Sequence, residues 1–161
     1  NLKNEKKIFW NFFFILTVFL LDRVTKISII NLLENSDKTN IPITNFLSFN
    51  LIWNEGIAFG LFSFDQKLYY NFLTIIIILV TIIIFLMIIK TKGLEKIAFM
   101  MIFGGSLGNI FDRLVYASVP DFIDLHFNNF NWFIFNVADI FISMGVILLI
   151  YFEFFKKRIN E

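Results

Sequence analysis

Four long apolar runs constrain this chain more than any other feature of its sequence. Residues 8–28, 68–89, 97–116 and 135–155 are rich in Ile, Leu and Phe. Each run is long enough for a transmembrane helix, which needs about 20 largely apolar residues. Hydrophobic residues make up 58% of the chain and charged residues 17%, too apolar for an ordinary soluble domain. The sequence therefore predicts one all-α membrane domain over residues 1–161, a bundle of four transmembrane helices.

The positions of the basic residues predict the orientation of these helices. Basic residues flank the runs at three places: Lys3, Lys6, Lys7; Lys90, Lys92, Lys96; and Lys156, Lys157, Arg158. Lys and Arg are enriched in cytoplasmic segments, so both termini and the 90–96 connection are expected in the cytoplasm. Residues 31–67 and 117–131 are then the outer loops. Within the first run, the uninterrupted apolar stretch from Ile8 to Leu21 ends in Asp22-Arg23 without a small-residue cleavage site, and we expect the run to be retained as a helix.

Both outer loops carry the alternation of a half-buried strand. Leu47, Phe49, Leu51 and Trp53 alternate with mostly polar neighbours, and a similar alternation runs from Asp121 to Phe127. These patterns predict a small extracytoplasmic β-sheet, here called the cradle, built from the two loops. A short helix, here called the flap, is expected across residues 57–64.

Charged residues within the runs need partners or a purpose, because a charge at the centre of a spanning helix costs about 2.5–3.5 kcal/mol on insertion scales. Asp22 and Lys26 are four residues apart in the first run, so they lie on one face and can pair. Two interpretations remain open for this pair. It either snorkels at the outer membrane interface or supports a functional site.

The third run has a cluster of small and polar residues. Three of the seven glycines are Gly104, Gly105 and Gly108, and the spacing of the first and last allows a neighbouring helix to pack closely. Polar residues follow within one turn on one side of the helix: Asn109, Asp112 and Arg113. We expect Asp112 and Arg113 to brace the loop between the third and fourth helices.

Asn136 and Asp139 at the start of the fourth run have two possible roles. An isolated pair of this kind is typical of a helix cap and a first-turn acid. The alternative is a functional site, because polar residues from several segments are all assigned to the same side of the membrane. These residues are Asp22, Asn54, Asn109, Asp112, Arg113, Asp121, Asn136 and Asp139.

The residue inventory restricts the chemistry of such a site. The chain has no Cys and one histidine, His126, so a thiol nucleophile and a typical zinc site are not expected. Ser106 has no evident base on its helix, and no phosphate-binding loop is present. A net charge of +1 does not indicate a nucleic-acid-binding protein. Carboxylates remain, and two close Asp residues that share a proton can hydrolyse a peptide bond without a metal or cofactor. Asp121 and Asp139 are the best pair.

Two other classes of function are compatible with a small polar membrane bundle. One is a channel or proton-coupled transporter whose Asp and Arg residues form a relay. Transporters usually place their sites near the midplane between repeated halves, whereas this chain has no repeat. The other is an assembly factor without chemistry, in which the polar residues fasten the helices together.

Five short motifs in order resemble the lipoprotein signal peptidase (signal peptidase II) family over essentially the whole chain. They are Asp22-x-x-x-Lys26, Asn54-x-Gly56-x-Ala58-Phe59, Gly105-x-x-Gly108-Asn109-x-x-Asp112-Arg113, Asp121-Phe122-Ile123-Asp124 and Phe135-Asn136-x-Ala138-Asp139. The resemblance implies a four-helix bundle with cradle and flap in the bacterial cytoplasmic (inner) membrane. It also implies removal of the signal peptide from a prolipoprotein, just before a diacylglyceryl-modified cysteine.

The resemblance also implies roles for single residues. Asp121 and Asp139 match the catalytic aspartates, with Asp124 as the nearest competitor of Asp121. The remaining matched residues fall into two groups: Asn54, Asn109, Arg113 and Asn136 as substrate-orienting and dyad-supporting residues, and Asp22, Lys26, Asp112 and Gly108 as structural or substrate-contacting support. The expected partners are lipid-modified prolipoproteins and membrane lipids, and the expected state is a monomer with its active site near the outer face.

Overall fold

The computed structural model describes residues 2–36, 40–56, 66–127 and 130–159. Its elements follow the chain as α1 (Leu2–Glu34), β1 (Asn40–Pro42), β2 (Leu47–Asn54), α2 (Gln66–Lys90), α3 (Gly93–Tyr116), β3 (Val119–Phe127), β4 (Phe130–Phe135) and α4 (Val137–Ile159). The described part of the chain is thus mostly helical and contains a small sheet. The predicted flap over residues 57–64 lies outside the described residues.

Within the described part of the chain, three helices are long and apolar enough to cross a membrane. They cover Lys67–Lys90, Gly93–Tyr116 and Val137–Phe154. In hydrocarbon every backbone polar group must be bonded internally, which an α-helix achieves within its own segment. Large apolar side chains such as Leu79 and Ile83 on α2 are exposed from the bundle, as expected of residues that face lipid. The prediction of a membrane protein is therefore confirmed. Three of the four predicted spans correspond to candidate membrane-spanning helices, and the count of four is not confirmed.

The sheet has four antiparallel strands in the order β1-β2-β3-β4. Between β2 and β3 the register pairs Phe49 with Ile123 and then Ile52 with Asp121, so β2 contains one extra residue. A bulge of this kind bends the strand and redirects its side chains. The prediction of strands at 47–54 and 121–127 is confirmed. The strands β1 and β4 were not predicted, and β4 includes Phe135, which the sequence placed in the fourth helix.

The sheet packs against one end of the helical bundle. Phe122 of β3 forms a buried cluster with Ile29 and Leu33 near the end of α1. At this same end α3 finishes and α4 begins, because β3 and β4 connect these two helices. The α3 helix contacts α1, α2 and α4. Polar residues from α1, α3, β3 and α4 are thereby brought to the junction of bundle and sheet.

Candidate active site

Asp121 and Asp139 meet at one asparagine. Asp121 lies on β3 and Asp139 in the first turn of α4, 18 positions later in the sequence. The Asn136 side-chain amide donates to Asp121 Oδ1, while the Asn136 backbone N–H donates to Asp139 Oδ2 at 3.1 Å. Two carboxyl groups from different elements therefore share a single neighbour, which is buried. We call Asp121 and Asp139 the dyad.

Asn136 also caps α4. Its Oδ1 accepts the backbone N–H of Asp139 at 3.1 Å, and in return the Asp139 carboxylate accepts the Asn136 backbone N–H. This reciprocal arrangement is a capping box, which satisfies backbone N–H groups at the start of a helix. The two interpretations of Asn136 and Asp139 are therefore compatible, because the cap itself orients both dyad carboxylates.

Asn54 holds the second oxygen of Asp121. Its Nδ2 donates to Asp121 Oδ2 at 2.9 Å. Asn54 pairs with Val119 across the β2–β3 ladder, which makes it a diagonal neighbour of Asp121 beyond the bulge. Asn54 Oδ1 accepts the N–H of Gly56 at 2.7 Å, and this turn fixes the orientation of the amide.

Asn109 of α3 connects Asp139 to α1. Its Nδ2 donates to Asp139 Oδ1 at 2.8 Å, and its Oδ1 accepts a hydrogen bond from Lys26 Nζ at 2.9 Å. Asparagine side-chain amides therefore donate to both dyad residues. The amides of Asn54 and Asn136 bond to Asp121, and the amide of Asn109 bonds to Asp139. The predicted convergence of these polar residues is present in the structure.

A buried ion network lies behind Asn109, between α1 and α3. Lys26 Nζ contacts the carboxylates of Asp22 at 2.8 Å and Asp112 at 2.7 Å, and Arg23 contacts the same two carboxylates. Lys26 is only 1% exposed. The snorkelling interpretation of the Asp22–Lys26 pair is therefore wrong. The expectation that Asp112 braces the loop before α4 is also wrong, because within the described residues its ion pairs are made with Arg23 and Lys26 of α1.

Arg23 is a member of this network that the sequence analysis did not single out. It donates to Asp112 Oδ2 at 2.7 Å and lies over the ring of Phe111, 4.9 Å from the ring centroid. A third charged residue beside Asp22 in an apolar run was the signal that could have identified it. Pairing two cations with two carboxylates leaves the network neutral, which lowers the cost of burying it.

Glycines allow α3 to approach α1 closely at the network. A Cβ on Gly104 would lie 2.9 Å from the side chain of Val18, and one on Gly108 would collide with the carboxylate of Asp22. The prediction that Gly104 and Gly108 permit close helix packing is confirmed. Asp22 Oδ1 also accepts the backbone N–H of Ala138 at 2.9 Å, so α1 adds a second cap to the start of α4.

Arg113 of α3 contacts α2 and the turn that follows Asn54. Its guanidinium stacks on Tyr70, 5.7 Å from the ring centroid, and lies beside Gly56, next to Asn54. The Tyr70 hydroxyl donates to the Arg113 backbone carbonyl at 3.0 Å. Within the described residues, Arg113 Nε and Nη1 are buried without a hydrogen-bond partner. They are therefore available to an acceptor from outside the described residues.

Asp124 and His126 are on β3 but outside the dyad. Asp124 is buried opposite Ser48 of β2, and its Oδ1 has no hydrogen-bond partner among the described residues. The backbone N–H of His126 donates to the carbonyl of Phe46 at 3.0 Å. No group of His, Cys, Asp and Glu in the described ranges is arranged to hold a metal ion. Of the two β3 aspartates, only Asp121 contacts the asparagines of the site.

The environment of Asp121 favours its protonated form. Burial raises the pKa of the Asp121 carboxyl to about 6, and the negative charge of Asp139 adds to the rise. Hydrogen bonds from Asn54 and Asn136 and the charge of Lys26 act in the opposite direction. A carboxyl group poised near neutral pH can serve as a general acid or base.

An apolar cavity of about 490 Å³ opens beside Asp139. It runs down the side of α4 and along β4, and it is lined by Phe133, Ile134, Phe135, Ile140, Ser143, Met144 and Ile147 together with Asp139. A polar group at the head of an apolar cavity is suited to a ligand that has a reactive polar end and a lipid-like body.

The chain matches the family described as Signal peptidase (SPase) II over residues 14–155. It is 51% identical over 160 residues to the lipoprotein signal peptidase of Pelagibacter ubique (strain HTCC1062), covering 98% of this chain and 96% of that protein. It is 42% identical over 143 residues to the lipoprotein signal peptidase of Aquifex aeolicus (strain VF5), covering 88% of this chain and 83% of that protein.

The fold agrees with solved structures of a bacterial membrane enzyme. One such structure superposes with a TM-score of 0.74 at 29% identity and covers 96% of this chain and 92% of the solved one. A second gives the same TM-score and covers 89% of this chain. The family match extends over both dyad residues and all three asparagines that bond to them. The chain belongs to the signal peptidase II family.

Proposed function

We propose that this protein is an intramembrane aspartyl endopeptidase that removes the signal peptide from prolipoproteins, cleaving before a diacylglyceryl-modified cysteine. The observation that carries the proposal is the meeting of Asp121 and Asp139 at Asn136. Family membership and the lipoprotein signal peptidase names of its relatives support the substrate class. The apolar cavity beside Asp139 supports a substrate with a hydrocarbon body.

The proposed reaction uses the dyad with one shared proton. The ionised carboxylate removes a proton from water as the water oxygen attacks the scissile carbonyl carbon, and the protonated carboxyl donates to the carbonyl oxygen. The carboxyl that took the proton from water then passes this proton to the leaving amine as the C–N bond breaks. The carboxyl that donated to the carbonyl oxygen recovers its proton from the tetrahedral intermediate. The products are a free carboxyl terminus on the signal peptide and a free amine on the lipid-modified cysteine.

The supporting residues are proposed to orient the dyad and the substrate. Asn54, Asn109 and Asn136 hold the carboxylates, and two Arg113 nitrogens that have no partner in the described part of the chain are suited to a backbone carbonyl of the bound peptide. Their positions at the junction of bundle and sheet support this role. The ion network of α1 and α3 supports Asn109 and the start of α4.

In the proposed topology, α1 is a fourth span and the chain is a monomer in the bacterial inner membrane. At about 1.5 Å per residue, the 33 residues of α1 extend about 50 Å, more than the roughly 30 Å of a hydrocarbon core. The basic residues near the start of α1 and between α2 and α3 favour cytoplasmic termini. The site then lies near the outer face, where an acylated peptide bond would sit.

The function is tested with purified full-length protein in lipid vesicles. We expect cleavage of a diacylglyceryl-modified prolipoprotein, with the new amino terminus at the modified cysteine, and no cleavage of the same precursor without the lipid. Mass spectrometry of the products identifies the bond. Failure to cleave the modified precursor by correctly inserted protein would refute the assignment.

The processing rate is expected to depend on the proton of Asp121. Its pKa is raised to about 6, so the carboxyl is protonated below that pH and ionised above it. Because the dyad needs one proton, kcat/KM should fall by about tenfold per pH unit once the pH exceeds this range. The charged groups that act on Asp121 are Asp139 of α4 and Lys26 of α1.

Asn54→Leu provides the matched variant for this pH dependence. This substitution removes a hydrogen bond that lowers the pKa of Asp121. The basic limb of the pH profile, where kcat/KM falls as the pH rises, should therefore move to higher pH. The measurement is kcat/KM across the acidic and neutral range in vesicles of fixed composition. A rate that rises steadily through pH 6 in the native enzyme would contradict the prediction.

Gly108→Ala is expected to lower both stability and activity. The added methyl group would collide with the Asp22 carboxylate, which pairs with Lys26 and caps α4 through Ala138 N–H. Overpacking of this kind costs about 1–3 kcal/mol. Gly104→Ala is the matched control, because its methyl group meets the apolar side chain of Val18. We expect both variants to unfold at lower temperature, but only Gly108→Ala to lose processing activity by about tenfold or more at temperatures where it remains folded. Equal activity of the two would contradict the role of Asp22 at the site.

A further inference from the structure

We propose that Lys26 is a positioning residue that, through Asn109, reserves Asp139 as the ionised member of the dyad and leaves the proton on Asp121. The inference rests on the proposed function and assigns the two carboxylates different roles within it. It depends on a path of two hydrogen bonds, from Lys26 Nζ to Asn109 Oδ1 at 2.9 Å and from Asn109 Nδ2 to Asp139 Oδ1 at 2.8 Å.

Lys26 fixes the orientation of the Asn109 amide by chemistry alone. A lysine ammonium has three donors and no acceptor, so the Asn109 atom facing it must be the carbonyl oxygen. The amide nitrogen is then turned toward Asp139, and the facing Asp139 oxygen must accept. Lys26 itself is held by Asp22 and Asp112 at 2.8 and 2.7 Å, so the ammonium cannot turn away without leaving two buried carboxylates.

Asp139 receives more stabilisation for a negative charge than Asp121 does. Its Oδ1 accepts from an amide that Lys26 polarises, and polarised chains of hydrogen bonds strengthen one another. Its Oδ2 accepts the Asn136 backbone N–H within the capping box of α4, where the positive end of the helix dipole favours an anion. Asp121 lies on a strand, and within the described residues its hydrogen bonds come from the neutral amides of Asn54 and Asn136.

The burial of Asp121 supports the same assignment. Asp121 is 4% exposed, and desolvation is the main cause of its raised pKa. With one proton shared by the pair, the carboxyl whose negative charge is less compensated is the one that keeps it. Asp139 would therefore take the proton from water and pass it to the leaving amine. Asp121 would donate to the substrate carbonyl oxygen and recover its proton as the intermediate collapses.

The test compares Lys26→Met with Arg23→Met. Both variants remove one cation from the same pair of carboxylates, Asp22 and Asp112, but only Lys26 contacts Asn109. The full-length variants are assayed in vesicles by kcat/KM against pH. We expect Lys26→Met to move the acidic limb, which reports the ionised base, upward by about one pH unit. In Arg23→Met the acidic limb should stay at its native position.

Asn109→Leu is the second variant, because Lys26→Met leaves a charge imbalance that can prevent folding. It removes the donor to Asp139 while Lys26 keeps its ion pairs. The acidic limb should again rise by about one pH unit, with the basic limb unmoved. Movement of the basic limb instead would place the proton on Asp139, and an unmoved profile would exclude the path through Asn109. Equal shifts in Lys26→Met and Arg23→Met would exclude a specific role for Lys26. Absence of processing by the native enzyme would refute the proposed function itself.

Discussion

Asp121→Asn and Asp139→Asn are each expected to reduce prolipoprotein processing by about 1000-fold or more. Either change removes one of the two carboxyl groups that meet at Asn136. An asparagine can neither accept a proton from water nor return one to the leaving amine. The two losses should not add in the double variant, because the carboxylates act as a unit. The measurement is single-turnover cleavage of lipid-modified precursor in vesicles.

Asp124→Asn is the matched control for this loss. It makes the same chemical change on the same strand, at a residue as buried as Asp121 but without contact to the asparagines of the site. We expect it to retain measurable processing. All three variants should insert in membranes to the native level. An inactive Asp124→Asn variant would mean that Asp121 was chosen wrongly, while normal processing by both dyad variants would eliminate the aspartyl mechanism.

The parts of the fold that could be predicted are those encoded by local patterns. Apolar runs of bilayer length gave helices close to α2, α3 and α4, and two-residue alternation gave β2 and β3. The short strand β1 and the strand β4 have no such pattern of their own. Phe130–Phe135 continues into the apolar run of α4 without a break in composition. The point at which the strand ends and the helix begins is set by the side-chain cap at Asn136, which hydropathy does not reveal.

The site was predictable in membership but not in connectivity. Polar residues in apolar runs are costly, so Asp22, Lys26, Asn109 and Asp139 could be recognised as a set. Their partners depend on helix rotation and strand register, which sequence spacing does not fix. The contact between Asp22 and the Ala138 N–H joins residues 116 positions apart, and the approach of Asn54 to Asp121 depends on one extra residue in β2.

The network explains why a membrane enzyme can keep its dyad in a defined geometry. Asp22 links the ion network to the start of α4, and Asn109 links the same network to Asp139. The same buried ion network thus positions both the start of the α4 backbone and the Asp139 carboxylate. Because the interior is close-packed, a displacement of the Asp22 side chain would be transmitted to the dyad. Substitutions on α1 can therefore affect the chemistry without contacting the substrate.

Asn136→Ser and Asn136→Ala are expected to separate the two roles of this residue. A serine hydroxyl can still accept the Asp139 N–H and cap α4, but it has no amide to donate to Asp121. We expect Asn136→Ser to remain nearly as stable as the native protein while processing falls by about 100-fold or more. Asn136→Ala loses the cap as well, which costs about 1 kcal/mol further.

The comparison is made by thermal unfolding and single-turnover cleavage in vesicles of the same composition. The pH profile adds a third measurement, since loss of the Asn136 amide removes a hydrogen bond that lowers the pKa of Asp121. The basic limb of Asn136→Ser should therefore move to higher pH, as in Asn54→Leu. If Asn136→Ser processed the precursor at the native rate, Asn136 would serve only as a helix cap. Its hydrogen bond to Asp121 would then have no role in the reaction.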